Sequence, residues 1–185
     1  MDPLKTIARR TVLEIRRFLK VELHTVQFPD GRLIDDWAWL VMPDYAVILA
    51  RTAEGRFLCF RQVKYALPEP FLAPPGGYLD PGEAPLEAAR RELREETGYE
   101  AGEWHSLGSY VVDSNRGAGK AHLFLALNAQ LKSAPSSDDL EEQELLLLGR
   151  DELEQVLDSG QIRILGWAAV LGLGLRKLDA LAAAE

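Results

Sequence analysis

The sequence predicts an α+β fold, and three observations carry that expectation. Stretches with apolar residues at every second position recur through much of the chain, which is the signature of strands. One helix is punctuated at both ends, by Pro85 and Gly98. Two further helical stretches close the chain, separated by a Ser159-Gly160 stop.

The composition narrows the functional classes. The chain has 185 residues, 47% hydrophobic and 27% charged, enough for one domain with a substantial core or one domain and a small appendage. Its net charge of −8 argues against a polyanion such as RNA held by nonspecific charge. A small phosphorylated substrate remains compatible if metal ions and a few local cations meet it. The single cysteine, Cys59, excludes an internal disulfide and fits a reducing compartment; in FLCF it alternates as a core thiol would. No long apolar run follows Lys5, Arg9 and Arg10, so no signal peptide is expected. The run 164–175 is too short to span a bilayer, and a cytoplasmic protein is expected. The three histidines are scattered without a pair at metal-ligand spacing, so none is assigned to a metal.

Taken in order, residues 1–16 fit either a basic helix or an irregular arm. Residues 18–28 set Phe18, Lys20, Glu22 and His24 against Leu19, Val21 and Leu23, the alternation of a strand. Pro29-Asp30-Gly31 marks a hairpin turn, and 33–42 reads as the returning strand, with Trp37 and Trp39 on one face. A lone hairpin cannot bury both faces. Residues 1–42 are therefore expected to form a strand region packed on a second copy or on its own domain, with 43–185 as the main domain. Residues 45–51 and 56–63 are two more strands joined at Ala53-Glu54-Gly55, the second running on through Arg61, Gln62 and Lys64. Pro68, Pro70, Pro74 and Pro75 predict an extended loop that leads into Gly76-Gly77. Beyond the helix, 104–112 and 122–128 are strands around a polar, glycine-containing loop, 113–120, that carries Arg116 and Lys120. Residues 133–139 resemble a linker, and 145–148 a short strand. Helices follow at 151–158 and 165–181. Within the last, Gly172-Leu173-Gly174 lacks the rest of a dinucleotide fingerprint and reads as close helix packing.

The stretch 76–99 organises the rest. Pro85 suits a first helical turn, where its missing N–H has no intrahelical partner to lose. Gly98 supplies the left-handed residue that commonly ends a helix. Leu86, Ala89 and Leu93 make the buried stripe at i, i+3 and i+7. Glu92, Glu95 and Glu96 then fall in one sector beside that stripe, with neighbours about 5–6 Å apart. At an effective dielectric near 20, two such charges repel by about 3 kcal/mol before screening. A hard divalent cation with oxygen ligands would offset this. Arg90, Arg91 and Arg94 could neutralise part of it, Arg91 by pairing with Glu83. Composition alone fits a solvated, salt-bridged helix face.

The spacing resembles a known family. Gly77, Glu83, Arg91, Glu92, Leu93, Glu95, Glu96, Gly98 and Tyr99 match the Nudix box position by position. Seven fixed polar or glycine positions at about 7% usage each would coincide on the order of once in 10⁸ windows. The resemblance implies an α/β/α sandwich around a mixed sheet, preceded by the N-terminal β-hairpin region. It implies Mg²⁺- or Mn²⁺-dependent hydrolysis of a pyrophosphate linkage in a nucleoside diphosphate derivative. The resemblance puts ADP-ribose or another nucleoside diphosphate sugar first as substrate, and implies a homodimer built through the N-terminal strands. The implied metal ligands are Glu92, Glu96, the Gly76 carbonyl and Glu95. Glu141 is the implied general base, with Glu142, Glu144 and Glu95 behind it, and Arg91 orients the cluster. Arg61, Gln62 and Lys64, with Arg116 and Lys120, are the implied substrate contacts.

Two departures from the ADP-ribose type weigh on the substrate. Ala73-Pro74-Pro75-Gly76-Gly77 lacks that type's leading carboxylate, and Asn115 stands where it carries a proline. Dinucleoside polyphosphate, nucleotide or RNA 5′-end hydrolysis, a non-cutting nucleotide-sugar sensor and a protein-interaction domain are the rival readings. The charge disfavours RNA, and a sensor has no need of all three glutamates.

Overall fold

A computed structural model describes residues 2–16, 18–136 and 143–184. The chain forms two compact units: Met1–Asp44 with Tyr110–Ala121, and Tyr45–Ser109 with His122–Glu185.

The first unit is built on three antiparallel strands, β1 (Lys5–Ile15), β2 (Leu19–Gln27) and β3 (Leu33–Val41). Lys5–Ile15 is thus strand, neither helix nor irregular arm. Register shifts lie between Thr6 and Ala8 and between Thr11 and Leu13. Each inserts an unpaired residue and resets the side-chain alternation, which hides the strand from a period-two reading.

On β2 the alternation holds, but the buried side is the polar one: Glu22, His24 and Val26. His24 stacks on Trp39 with ring centroids 5.4 Å apart. Glu22 meets both His24 and Lys20 at 2.9 Å, and those partners hold its carboxyl below the usual carboxylate range. Burial is tolerated because each charge has its counterpart.

The expected polar loop 113–120 is shorter than its composition suggests. Asp113 Oδ1 accepts the N–H groups of Asn115 and Arg116, closing a tight turn, and strand resumes at Gly117. A side chain on Gly117 would meet the Trp39 ring at 2.7 Å, so this close approach requires glycine. Trp37 Nε1 donates to the Asn115 carbonyl at 2.6 Å.

In the second unit β4 (Tyr45–Thr52) lies between β5 (Phe57–Lys64) and β10 (Gly117–Leu131), with β11 (Gln143–Leu148) beyond β5. Further strands add to this sheet: β6 (Leu67–Ala73) on β5, β7 (Gly76–Tyr78) on β4, and β8 (Tyr99–Glu100) and β9 (Glu103–Asp113) on β10. The helices are α1 (Pro85–Thr97), α2 (Arg150–Asp158) and α3 (Leu165–Ala182).

Ala46 to Ala50 are all buried, as in a strand covered on both faces. Ala46, Ile48 and Ala50 pack with Ala88, Ala89 and Leu93 of α1. Leu49, of opposite parity, meets Gly174 of α3. Helix, sheet, helix is therefore the layering, the α/β/α sandwich anticipated above. Gly174 is the close-packing glycine of the Gly-Leu-Gly run, whereas nothing stands near Gly172.

Residues 67–73 correct the expectation of a proline-held loop. They pair with β5, from Lys64↔Leu67 to Phe60↔Ala73, and have no second partner strand among the described residues. An edge strand accepts prolines because the N–H groups they lack are not called for on the open side.

Cys59 is buried on β5, its thiol directed at the Ala73 carbonyl at 3.3 Å, and burial pushes its pKa up to about 12. The native protein at pH 8 is expected to resist an aromatic disulfide reagent for hours, and to react stoichiometrically in 6 M guanidinium, as absorbance would show. Rapid native labelling would remove Cys59 from the core. No described helix is long and apolar enough to cross a membrane.

Candidate active site

The glycine turn and α1 are built as one piece. Pro85 occupies the start of α1, and Gly98, at φ 75°, ends it by donating its N–H to the Arg94 carbonyl. β7 pairs with β4 through Val47↔Gly76 and Ala46↔Gly77. A Cβ on Gly76 would collide with the Ala46 carbonyl, and one on Gly77 would stand 2.5 Å from the Glu92 carboxylate. Two glycines are needed because the turn is pressed between a strand and a carboxylate.

The carboxylates gather there. Glu96 accepts the Gly76 N–H at 2.8 Å, and Glu92 lies against Gly77. Arg91 ties the remainder. Its Nε and Nη2 each reach Glu83 at 2.9 Å, while its Nη1 reaches Glu92 at 2.8 Å and Glu95 at 3.1 Å. Arg91 also donates to the Tyr78 carbonyl at 3.0 Å, and Glu83 accepts the Asp80 N–H at 2.9 Å. The Arg91 guanidinium holds the Glu83 carboxyl below its ordinary range. Glu83 and then the other carboxylates push the Arg91 pKa further up, against the opposing effect of burial. The repulsion inferred from helical spacing is thus partly met from within the chain, by one guanidinium among three carboxylates.

Among the described residues no three carboxylate, imidazole or thiol groups enclose an ion on their own. The chemistry of the donors nevertheless fits one. Glu92, Glu95, Glu96 and the Gly76 carbonyl offer oxygen only, the preference of hard divalent cations. Glu92 and Glu96 are already drawn to the backbone of the same two glycines.

The other candidates sort by element. Arg61, Gln62 and Lys64 sit at the end of β5, with Gln62 buried. A cleft of about 500 Å³ is lined by Arg61, Gln62, Val63, Pro70, Gln143 and Glu144. Arg61 pairs with Glu144 at 2.9 Å. Glu141 and Glu142 lie outside the described residues. Arg116 and Lys120 belong to the first unit, where Arg116 meets Asp113 at 3.5 Å and the Lys120 N–H meets Asp44 at 2.9 Å. Sequence reasoning missed the Tyr78 carbonyl and the Asp80 N–H. Both are backbone groups, so no residue type marks them.

Comparison with known proteins agrees with this geometry. Residues 41–167 match the NUDIX domain family. A CMP-5'-(N-acetyl-N-hydroxy-3-aminopropyl)phosphonate hydrolase of Streptomyces rubellomurinus is 30% identical over 167 residues, covering 88% of this chain and 80% of the relative. An ADP-ribose pyrophosphatase of Bacillus subtilis is 28% identical over 153 residues, covering 83% and 80%. The crystal structure of an ADP compounds hydrolase superposes with a TM-score of 0.81 at 19% identity, over 98% of this chain and 97% of that one, and so shares its fold. With the box laid out along α1 and the family match running over residues 41–167, more than half of the chain, the chain belongs to the Nudix family of pyrophosphohydrolases.

Proposed function

We propose that the protein hydrolyses the pyrophosphate linkage of a nucleoside diphosphate sugar, with ADP-ribose the leading candidate, and that it requires Mg²⁺ or Mn²⁺. The observation that carries this reading is that Glu92 and Glu96 lie at the Gly76-Gly77 turn while Arg91 holds Glu92 and Glu95. The ADP-ribose pyrophosphatase of Bacillus subtilis supports the substrate. The Streptomyces hydrolase, whose name specifies a CMP conjugate, argues for testing bases other than adenine.

Glu92, Glu96 and the Gly76 carbonyl, with Glu95 beside them, are the groups that would hold the metal. When bound, the ion would supply charge neutralisation at the diphosphate oxygens and acidify a water. Arg91 fixes where Glu92 and Glu95 point, so that neither carboxylate has to reorganise as charge develops. Gly77 keeps a side chain out of the space in front of Glu92, and Gly76 lets the turn lie close against β4. Glu141, or failing that Glu142, Glu144 or Glu95, takes the proton from the attacking water. Arg61, Gln62 and Lys64 are proposed to bind the substrate, as are Arg116 and Lys120.

A homodimer through the N-terminal strands is part of the proposal. β1 is exposed throughout and carries Ile7, Val12, Leu13 and Ile15, an apolar set that a second copy would cover. A cytoplasmic location fits the lone buried thiol.

The test is a product screen over ADP-ribose, other nucleoside diphosphate sugars, a CMP conjugate and dinucleoside polyphosphates, with Mg²⁺, Mn²⁺ or EDTA. The expected result is release of a nucleoside monophosphate and a sugar phosphate, abolished by EDTA. Turnover confined to dinucleoside polyphosphates, or undiminished by the chelator, would overturn the reading.

A further inference from the structure

We infer that Glu144, together with Arg61, forms a paired subsite for the junction between phosphate and sugar in the substrate, and that Glu144 determines specificity for a hydroxylated distal group. This rests on the proposed activity and extends it.

The two side chains face each other across the β5–β11 ladder, with Arg61 opposite Glu144 in register. Arg61 Nη1 donates to Glu144 Oε2 at 2.9 Å. Both line the cleft, whose remaining walls are Gln62, Val63, Pro70 and Gln143. The pair is more than half exposed on both sides, so it adds at most about 1 kcal/mol to stability. Stability alone gives little reason for it.

Its geometry gives a better one. A guanidinium carries five donors in a planar fork, and an ionised carboxylate has two acceptor oxygens. The single hydrogen bond between them leaves Nε and Nη2 of Arg61, and Oε1 of Glu144, without a protein partner among the described residues. Glu144 therefore anchors one end of the fork while its own second oxygen stays open. The cleft thus presents an anchored set of cationic donors beside an anionic acceptor. A phosphate oxygen satisfies the first, and a sugar hydroxyl, which donates, satisfies the second. A diphosphate ending in a group without hydroxyls meets only the cation and faces an uncompensated carboxylate.

That asymmetry separates Glu144 from a general base. A base would act equally on every diphosphate that is cleaved. A hydroxyl acceptor acts on the choice between them.

The experiment compares ADP-ribose with the ethyl ester of ADP, which keeps the pyrophosphate and lacks the second sugar, using wild type, Glu144→Ala, Glu144→Gln and Arg61→Ala. The kcat/KM preference for ADP-ribose over the ethyl ester is expected to fall about tenfold in Glu144→Ala, the size of one hydrogen bond to a charged group. The loss should appear in KM and be partly restored in Glu144→Gln, whose amide oxygen still accepts. Arg61→Ala should weaken both substrates with the preference largely kept.

Three outcomes would overturn the inference. An unchanged preference in Glu144→Ala removes Glu144 from recognition. A hundredfold fall in kcat with both substrates makes it the base. A lower KM for both means it merely repels anions. Failure of the proposed activity itself looks different, since wild type would then cleave neither compound. Circular dichroism melts of each variant separate these results from unfolding.

Discussion

Glu96→Gln is expected to lower kcat by about a thousandfold on whichever diphosphate the wild type cleaves, while the protein melts within a few degrees of wild type. The structure explains both halves. Glu96 accepts the Gly76 N–H at 2.8 Å, and a glutamine oxygen can accept the same bond, so the turn keeps its anchor. What the amide cannot supply is the charge. A proposed metal ligand that turns neutral loses several kcal/mol of its hold on the ion and on transition-state charge, and each 1.4 kcal/mol is tenfold in rate. Steady-state release of the nucleoside monophosphate with Mg²⁺ and with Mn²⁺, beside a thermal melt, decides it. A variant that retains near wild-type turnover would remove Glu96 from the metal site.

Arg91→Ala should have the largest effect on stability. Arg91 bonds Glu83 twice and bridges Glu92 and Glu95, and its side chain, like those of Glu83 and Glu92, is less than a quarter exposed. Removing the cation from such a cluster takes the counter-charge from partly buried carboxylates, at a cost of about 3 kcal/mol. For a chain of this size that lowers the melting temperature by about 6–12 °C.

The loss should depend on pH in a stated direction. The Glu83 carboxyl is held below its ordinary range by Arg91. Its contribution is therefore present above the unfolded carboxylate value of about 4.3 and disappears as pH falls through the depressed folded value. The gap between wild type and Arg91→Ala should be full at pH 7 and narrow below about pH 4. Arg91→Lys should recover only part of it, because an ammonium lacks the planar fork that Glu83 grips twice. Melts of the two proteins that coincide at pH 7 would show that the cluster is held by other means.

Much of the site was readable before any coordinates. The helix from Pro85 to Gly98 follows from proline, glycine and a periodic apolar stripe, all local signals that tertiary packing had no cause to override. The pairing of Arg91 with Glu83 was equally accessible, since Glu83 stands just before the helix that carries Arg91. Other features were hidden for physical reasons. Two bulges broke the alternation of β1, and β6 escaped notice because prolines signal loop unless the strand lies at an edge. The buried face of β2 ran against polarity, since His24 and Glu22 are tolerated only once Trp39 and Lys20 stand beside them.

By itself, the sequence determined that one short helix carries Glu92, Glu95, Glu96 and Arg91 behind a glycine pair at the spacing of a pyrophosphohydrolase. That information is local, and local spacing survives whatever the rest of the chain does. Only the tertiary structure decided what those charges rest against. The Gly76-Gly77 turn is wedged between β4 and Glu92, and Arg61 stands opposite Glu144, 83 residues along the chain. Such neighbours are set by strand register, which depends on how whole elements bury their faces and leaves no mark at either residue.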